Sequence, residues 1–329
     1  MDGDSAEPSG RDWTRIGLVI GCILAVVAVV LLMPAFAVDG LAGSPLETVL
    51  PGESADIGGG AGSGSGALGA LNPGAGTGVG GEIGLNSEAF GSTNTEVHFT
   101  VQSSERTYWR TAAYGTYTGS GWERSTETSP IDGGVSHPGP DGERIDYKVT
   151  LKKRASAVPT AYRPALIEGI DNPKVTDNGA IQPGSALEAG TTISGVSFAP
   201  RNDVDRLRST TESYPSEIEQ RYTQLPDETA SRIEAKTESV FAATQADSPY
   251  EKAVAVQEFL RSSKEYDLSV SERDDSIAET FLFEMDAGYC EYFASTMAVM
   301  LRSHDIPTRY VVGYSSGQRI DSNTYEVRG

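Results

Sequence analysis

Residues 16–38, IGLVIGCILAVVAVVLLMPAFAV, hold no charged side chain. As a helix at about 1.5 Å per residue they span roughly 34 Å, enough for the core of a bilayer. That run divides the chain, because whatever follows it is exported, whether the run stays as an anchor or is removed as an export signal. Arg11 and Arg15 precede it and Ala35-Phe36-Ala37 has the form of a small-residue cleavage site, which suits a signal. Its length exceeds the usual ~7–15-residue signal core, which favours a transmembrane helix. No Lys or Arg follows before Arg106, so residues 1–15 are the cytoplasmic side and the C-terminal part is extracellular. Cys22 lies inside the run and reads as one more apolar residue.

Residues 39–93 read as a flexible linker. Thirteen of the 37 glycines lie between positions 58 and 84, and the stretch 52–84 has no aromatic residue and little bulk to bury. A phosphate-cradling glycine loop needs a strand before it and a helix with a Lys after it, and this stretch has neither. The acidic balance, 46 Asp+Glu against 26 Lys+Arg and a formal charge of −20, excludes a nucleic-acid surface. Cys22 and Cys290 are too few for a disulfide framework. No metal-ligand spacing and no cofactor motif is visible.

Past residue 94 the apolar residues alternate. Val97, Phe99 and Val101 in TEVHFTVQ, and Ile145, Tyr147, Val149 and Leu151 in RIDYKVTLK, keep the period of two of half-buried strands. TYWRTAAYGTYTGSGW reads as a strand pair with a turn at Gly119 and Gly121, and TTISGVSFAP as a last strand. Residues 94–200 are therefore expected to form a small β-rich domain, with Tyr108, Trp109 and Trp122 in its core. His98, on a strand, and His137, in a Gly/Pro loop, read as structural or exposed.

From 201 onward the period becomes helical. Asp227-Glu228 after Pro226 opens a helix to about Thr244. Ser248-Pro249-Tyr250-Glu251 is a capping box with Ala253, Val256 and Leu260 on one face, and Ser276 to Glu279 repeats the box pattern. In FLFEMDAGYCEYFASTMAVMLRSHDIPTRYVVGY, residues 281–314, Gly288 permits a sharp turn. Ala294, Met297, Ala298 and Leu301 then predict a buried helix from Cys290 to about Ser303. A thiol on the first turn faces free N–H groups and the positive end of the helix dipole, which favour the nucleophilic thiolate. RYVVGY and Thr324–Val327 predict an antiparallel pair after Pro307. A helix led by Cys and followed by such a pair is the papain-like frame.

G-Y-C-E-Y-F-A-S, L-R-S-H-D-I-P-T-R and V-V-G-Y together resemble the transglutaminase core in its microbial form. Tyr108-Trp109-Arg110 with Tyr117-Thr118-Gly119-Ser120-Gly121-Trp122, and Ser248-Pro249-Tyr250-Glu251-Lys252-Ala253 leading to Phe259-Leu260-Arg261, resemble segments of membrane-anchored transglutaminase-like proteins. The resemblance covers about 94–329. It implies an α+β, papain-like domain over 201–329, with Cys290 as nucleophile. The thiolate would attack a glutamine carboxamide or another amide of a protein or peptide at the cell surface, and an amine or water would resolve the thioester. It also implies a His on the strand after V-V-G-Y, in a D-x-H-A-W context, and an Asp beyond it. The chain reaches Tyr325-Glu326-Val327-Arg328-Gly329 where that context is due, so the core reads as C-terminally incomplete and this chain as inactive. His304 is no substitute, since 14 residues of helix place it roughly 21 Å from Cys290. Tyr289 and Tyr292 read as packed residues with an oxyanion role as the alternative, and Glu291 has no assigned role. Two other readings stand beside the acyltransferase: a non-catalytic extracellular binding module, and a peptidase-like cysteine hydrolase.

Overall fold

A computed structural model describes residues 71, 82–84, 96–125, 127–131, 134–135, 142–200, 202–270 and 276–329. The expectations for 1–15, for 16–38, for most of 39–93 and for His137 lie outside these residues. Among the described residues no helix is long and apolar enough to cross a membrane. In chain order the strands are β1 (Glu82–Gly84), β2 (Val97–Ser103), β3 (Trp109–Tyr114), β4 (Thr116–Tyr117), β5 (Gly121–Glu123), β6 (Thr128–Pro130), β7 (Arg144–Leu151), β8 (Pro164–Glu168), β9 (Lys174–Thr176), β10 (Ile181–Gln182) and β11 (Thr192–Phe198). Helices follow: α1 (Val204–Arg208), α2 (Ser216–Tyr222), α3 (Asp227–Thr244), α4 (Pro249–Ser263), α5 (Ile277–Glu284) and α6 (Cys290–Arg302). Short strands β12 (Glu265–Tyr266) and β13 (Ala287–Gly288) flank α5, and β14 (Tyr310–Tyr314), β15 (Gln318–Asp321) and β16 (Thr324–Arg328) come last.

The largest sheet is antiparallel with strand order β15-β16-β2-β7-β11-β8. Its inner face follows the alternation: Ile145, Tyr147, Val149 and Leu151 of β7 are all buried, as are Phe99 and Val101 of β2. These residues form one core with Trp109 and Val327. A second core joins α3, α4, α5 and α6 to Ala112, Tyr114, Tyr117 and Trp122.

Residues 94–200 and 201–329, expected as separate domains, share sheets. β16 pairs with β2, Val327 opposite Phe99, and β14 pairs with β3, Tyr310 opposite Tyr114. The antiparallel pair expected between 309–314 and 324–327 accordingly does not form. A strand has two edges, and those of β16 are taken by β15 and β2. The change of hydrophobic period near residue 200 marks a change of local structure, whereas strand partners are chosen across the whole chain. The glycine-rich stretch also differs from a plain spacer. Leu71 is 3 % exposed in the sheet core and its carbonyl accepts the N–H groups of Ser156 and Ala157, while β1 pairs with β5.

Local signals succeed where their partners are local. At Ser248 the box forms: its hydroxyl accepts from the Glu251 N–H, and the Glu251 carboxylate accepts from the Ser248 N–H. At Ser276 it does not, because that side chain makes no capping bond. The first turn of α5 is satisfied by the β4–β5 hairpin instead, the Tyr117 hydroxyl accepting the Ala278 N–H at 3.2 Å and the Gly119 carbonyl that of Ile277 at 3.0 Å. Trp122 likewise leaves the expected β core. Its Nε1 donates to Ser295 Oγ at 2.9 Å, its ring stacks on Tyr310, and the Arg302 guanidinium lies over it. Trp109 does sit in the sheet core, edge-on to Tyr147, and Tyr108 is 36 % exposed.

Candidate active site

The chain enters α6 through a two-residue parallel ribbon. β12 pairs with β13, Tyr266 opposite Gly288, and the N–H groups of Glu265 and Asp267 donate to the carbonyls of Asp286 and Gly288. Gly288 is required by packing and not by a turn. A Cβ there would stand 2.6 Å from the Phe281 ring and 3.1 Å from Tyr292 Cβ, so the Cys helix can lie against α5 only with hydrogen at that position. Tyr289 is the extended N-cap residue, and Cys290 begins the helix.

The helix is buried on more sides than the expected stripe. Ala298 and Leu301 face the core, but Ala294 is exposed and Met297 half-buried, while Ser295, Thr296, Val299 and Met300 are buried. Ser295 turns inward because the Trp122 indole needs an acceptor there. At the far end Arg302, 1 % exposed, donates to the carbonyls of Thr308 and Gln224 and holds the loop that leads into β14.

Cys290 is a free, half-buried cysteine. Its thiol runs opposite to the expectation of a stabilised thiolate, since burial and then the adjacent Glu291 carboxylate push its pKa up to about 12. Hydrogen bonds from the Tyr266 hydroxyl and the Glu291 N–H oppose the rise without cancelling it. The magnitudes explain the outcome: a helix terminus contributes about 0.3–1 kcal/mol, whereas desolvation moves a buried group by up to about 3–5 pKa units. Tyr266 is raised as well, by burial and then by Cys290. Among the described residues the site is thus a thiol with a raised pKa that accepts a hydrogen bond from the Tyr266 phenol, beside the 3 % exposed Glu291.

Tyr289 and Tyr292 are fully buried, edge-on to each other, with Tyr292 tilted against Phe281, so both rings belong to the helical core. His304 is held against α3, Nε2 to the Glu234 carbonyl at 3.2 Å and its ring edge-on to Phe241. His98 bonds through Nδ1 to the Tyr314 hydroxyl at 2.7 Å, and burial, then Lys153, hold its pKa below the usual value. The hydrogen-bond partners of the two imidazoles among the described residues are thus Tyr314 and Glu234. Tyr266 was not legible beforehand, because a two-residue strand leaves no periodic signal. Among the described residues no group of His, Cys, Asp and Glu is arranged to hold a metal ion.

A mixed α/β fold whose buried helix starts at a cysteine, packed on strands drawn from both halves of the chain, is the transglutaminase-like class. Residues 238–327 match the transglutaminase-like superfamily, and residues 3–203 match the TgpA N-terminal domain. The chain belongs to the TgpA N-terminal domain family. It is 31 % identical over 249 residues to the uncharacterized protein YebA of Bacillus subtilis (strain 168), covering 67 % of this chain and 33 % of that protein. The chain therefore spans about a third of the length of this relative. The crystal structure of the periplasmic domain of TgpA from Pseudomonas aeruginosa has a similar fold, with a TM-score of 0.56, 21 % identity, and 71 % of this chain and 80 % of that chain covered. The same domain bound to ethylmercury matches with a TM-score of 0.57 at 21 % identity, over 75 % of this chain and 88 % of that one.

Proposed function

We propose that the protein is a membrane-anchored, cell-surface cysteine acyltransferase in which Cys290 is the nucleophile toward a glutamine carboxamide or related amide of a protein or peptide. The reading is carried by the position of Cys290, at the first residue of α6 inside the matched transglutaminase-like core. The anchor would be residues 16–38, with the folded part outside. A thiol at about 12 needs a base to take its proton, so the base would be an imidazole oriented by a carboxylate, supplied by chain beyond Gly329 as the resemblance implies. The thiol would lose its proton to that base as Sγ adds to the carbonyl. Ammonia would leave, and an amine or water would resolve the thioester. Amine incorporation and ammonia release from a glutamine peptide, measured on the longer reading frame and on its C290A variant, test this. Both should vanish in C290A; activity that survives the substitution would refute it.

The burial of the Cys290 thiol next to the Glu291 carboxylate, which raises its pKa, favours a second reading, a surface module that binds without catalysis. It differs in one observable: in the longer protein the thiol would still show no alkylation near neutral pH. Should ammonia be released with no amine incorporated, the protein is a hydrolase.

A further inference from the structure

The turn between β9 and β10 collects guanidinium groups. Three successive backbone carbonyls each accept an arginine: Asp177 from Arg221 Nη1 at 2.9 Å, Asn178 from Arg309 Nη1 at 2.9 Å, and Gly179 from Arg110 Nη2. Arg221 comes from α2, Arg309 from the residue just before β14, and Arg110 from β3. The turn is rigid enough to present them. Asn178 is 1 % exposed and accepts the Tyr222 hydroxyl at 3.0 Å, Thr176 Oγ1 accepts the Ala180 N–H, and Gly179 takes the left-handed conformation at φ 79°.

The charges there do not balance. Asp177 pairs with Arg221 at 3.2 Å, but among the described residues Arg110 and Arg309 have no carboxylate partner. Arg110 is 8 % exposed, its Nε is buried with no acceptor, and Arg309 is close enough to repel it. A neutral carbonyl satisfies one N–H of a guanidinium that offers five, and it leaves the charge uncompensated. In a chain of formal charge −20, Asp177 is the carboxylate that pairs at this turn among the described residues, one acid against three guanidinium groups. Planar guanidinium forks fit the oxygens of a phosphate or a similar oxyanion in pairs.

We propose that Arg110, Arg221 and Arg309 form a binding site for a phosphate-type oxyanion at the Asp177–Gly179 turn. Arg110 is the buried member, Arg309 is half-buried with its guanidinium over the Tyr222 ring, and Arg221 is exposed. The ligand class is inorganic phosphate or a phosphomonoester. The site is independent of Cys290 chemistry and does not rest on the proposed reaction.

The test is the thermal midpoint of the full chain titrated with inorganic phosphate, and separately with glycerol 3-phosphate, against sodium chloride at matched ionic strength. Either probe should give a saturable rise that chloride does not, and the tighter one names the source. R309Q should weaken binding about tenfold, read as the phosphate-induced rise over that variant's own midpoint without phosphate, since the substitution also removes the bond to the Asn178 carbonyl. R144Q, in the exposed Arg144–Asp146 pair, should leave binding unchanged. R110Q risks misfolding because the side chain is buried, so R221Q is the second variant. No saturable rise, or one that R309Q and R221Q leave intact, would show that the arginines only clamp the turn.

Discussion

Tyr266 and Cys290, 24 residues apart in sequence, meet because β12 runs parallel to β13 and sets Tyr266 opposite Gly288, two residues before the thiol. The phenol hydrogen bond lowers the thiol pKa while Glu291 raises it, so two substitutions should move the same titration in opposite directions. The iodoacetamide rate at Cys290 is expected to rise with pH toward a midpoint near 12. In E291Q the midpoint should fall and the rate at pH 8 rise by about tenfold. In Y266F the midpoint should climb further. Peptide mapping of the alkylated site gives both rates, and a wild-type midpoint at or below 9 would contradict the assignment.

Alkaline pH should destabilise the protein. The Cys290 thiol, from 9.0, and the Tyr114 and Tyr147 phenols, from 10.0, are raised by burial to about 12. Each folded-state group holds its proton more tightly than the unfolded chain does. The unfolded state therefore releases protons first, and stability, full below about pH 9, falls as pH climbs toward 12. Denaturant midpoints at pH 7, 9 and 10.5 should decline, with a shallower decline in Y147F. A flat profile would contradict this.

The Tyr117 hydroxyl caps α5 and also donates to the Gly119 carbonyl at 2.6 Å. Y117F leaves the ring in the core but strips both bonds. Urea unfolding should show a loss of about 1–2 kcal/mol, the cost of a missing cap.

Gly313 lies at the irregularity where β14 crosses β3, and a Cβ there would stand 2.2 Å from the Trp109 carbonyl oxygen and 2.8 Å from Arg110 Cα. Backbone cannot swing aside as a side chain can. G313A should therefore destabilise by about 3 kcal/mol in the same assay, whereas a shift below 0.5 kcal/mol would mean the strands part easily.

The contrast between Ser248 and Ser276 shows what sequence alone can reach. Both begin a Ser-x-x-Glu pattern, but at Ser248 every donor and acceptor lies within three residues. At Ser276 a tyrosine 161 residues from Ala278 takes the capping place. The same limit explains the sheets: alternation identified the inward residues of β7, yet nothing in it could say that β16 would reach back to β2. It explains the thiol too. The start of α6 at Cys290 was legible from spacing, but its protonation is decided by burial and by Glu291 and Tyr266, and the last of these arrives through a two-residue strand.

We propose that Cys290 receives a glutamine carboxamide. This is tested most directly by covalent trapping with a peptide carrying a chloroacetamide in place of that carboxamide, read by intact mass and site mapping against free chloroacetamide. One adduct is expected, on Cys290, forming saturably and about tenfold or more faster than with the free reagent, since a bound electrophile is already oriented. No adduct is expected in C290S. Labelling that is linear in peptide concentration and no faster than with free chloroacetamide would contradict it.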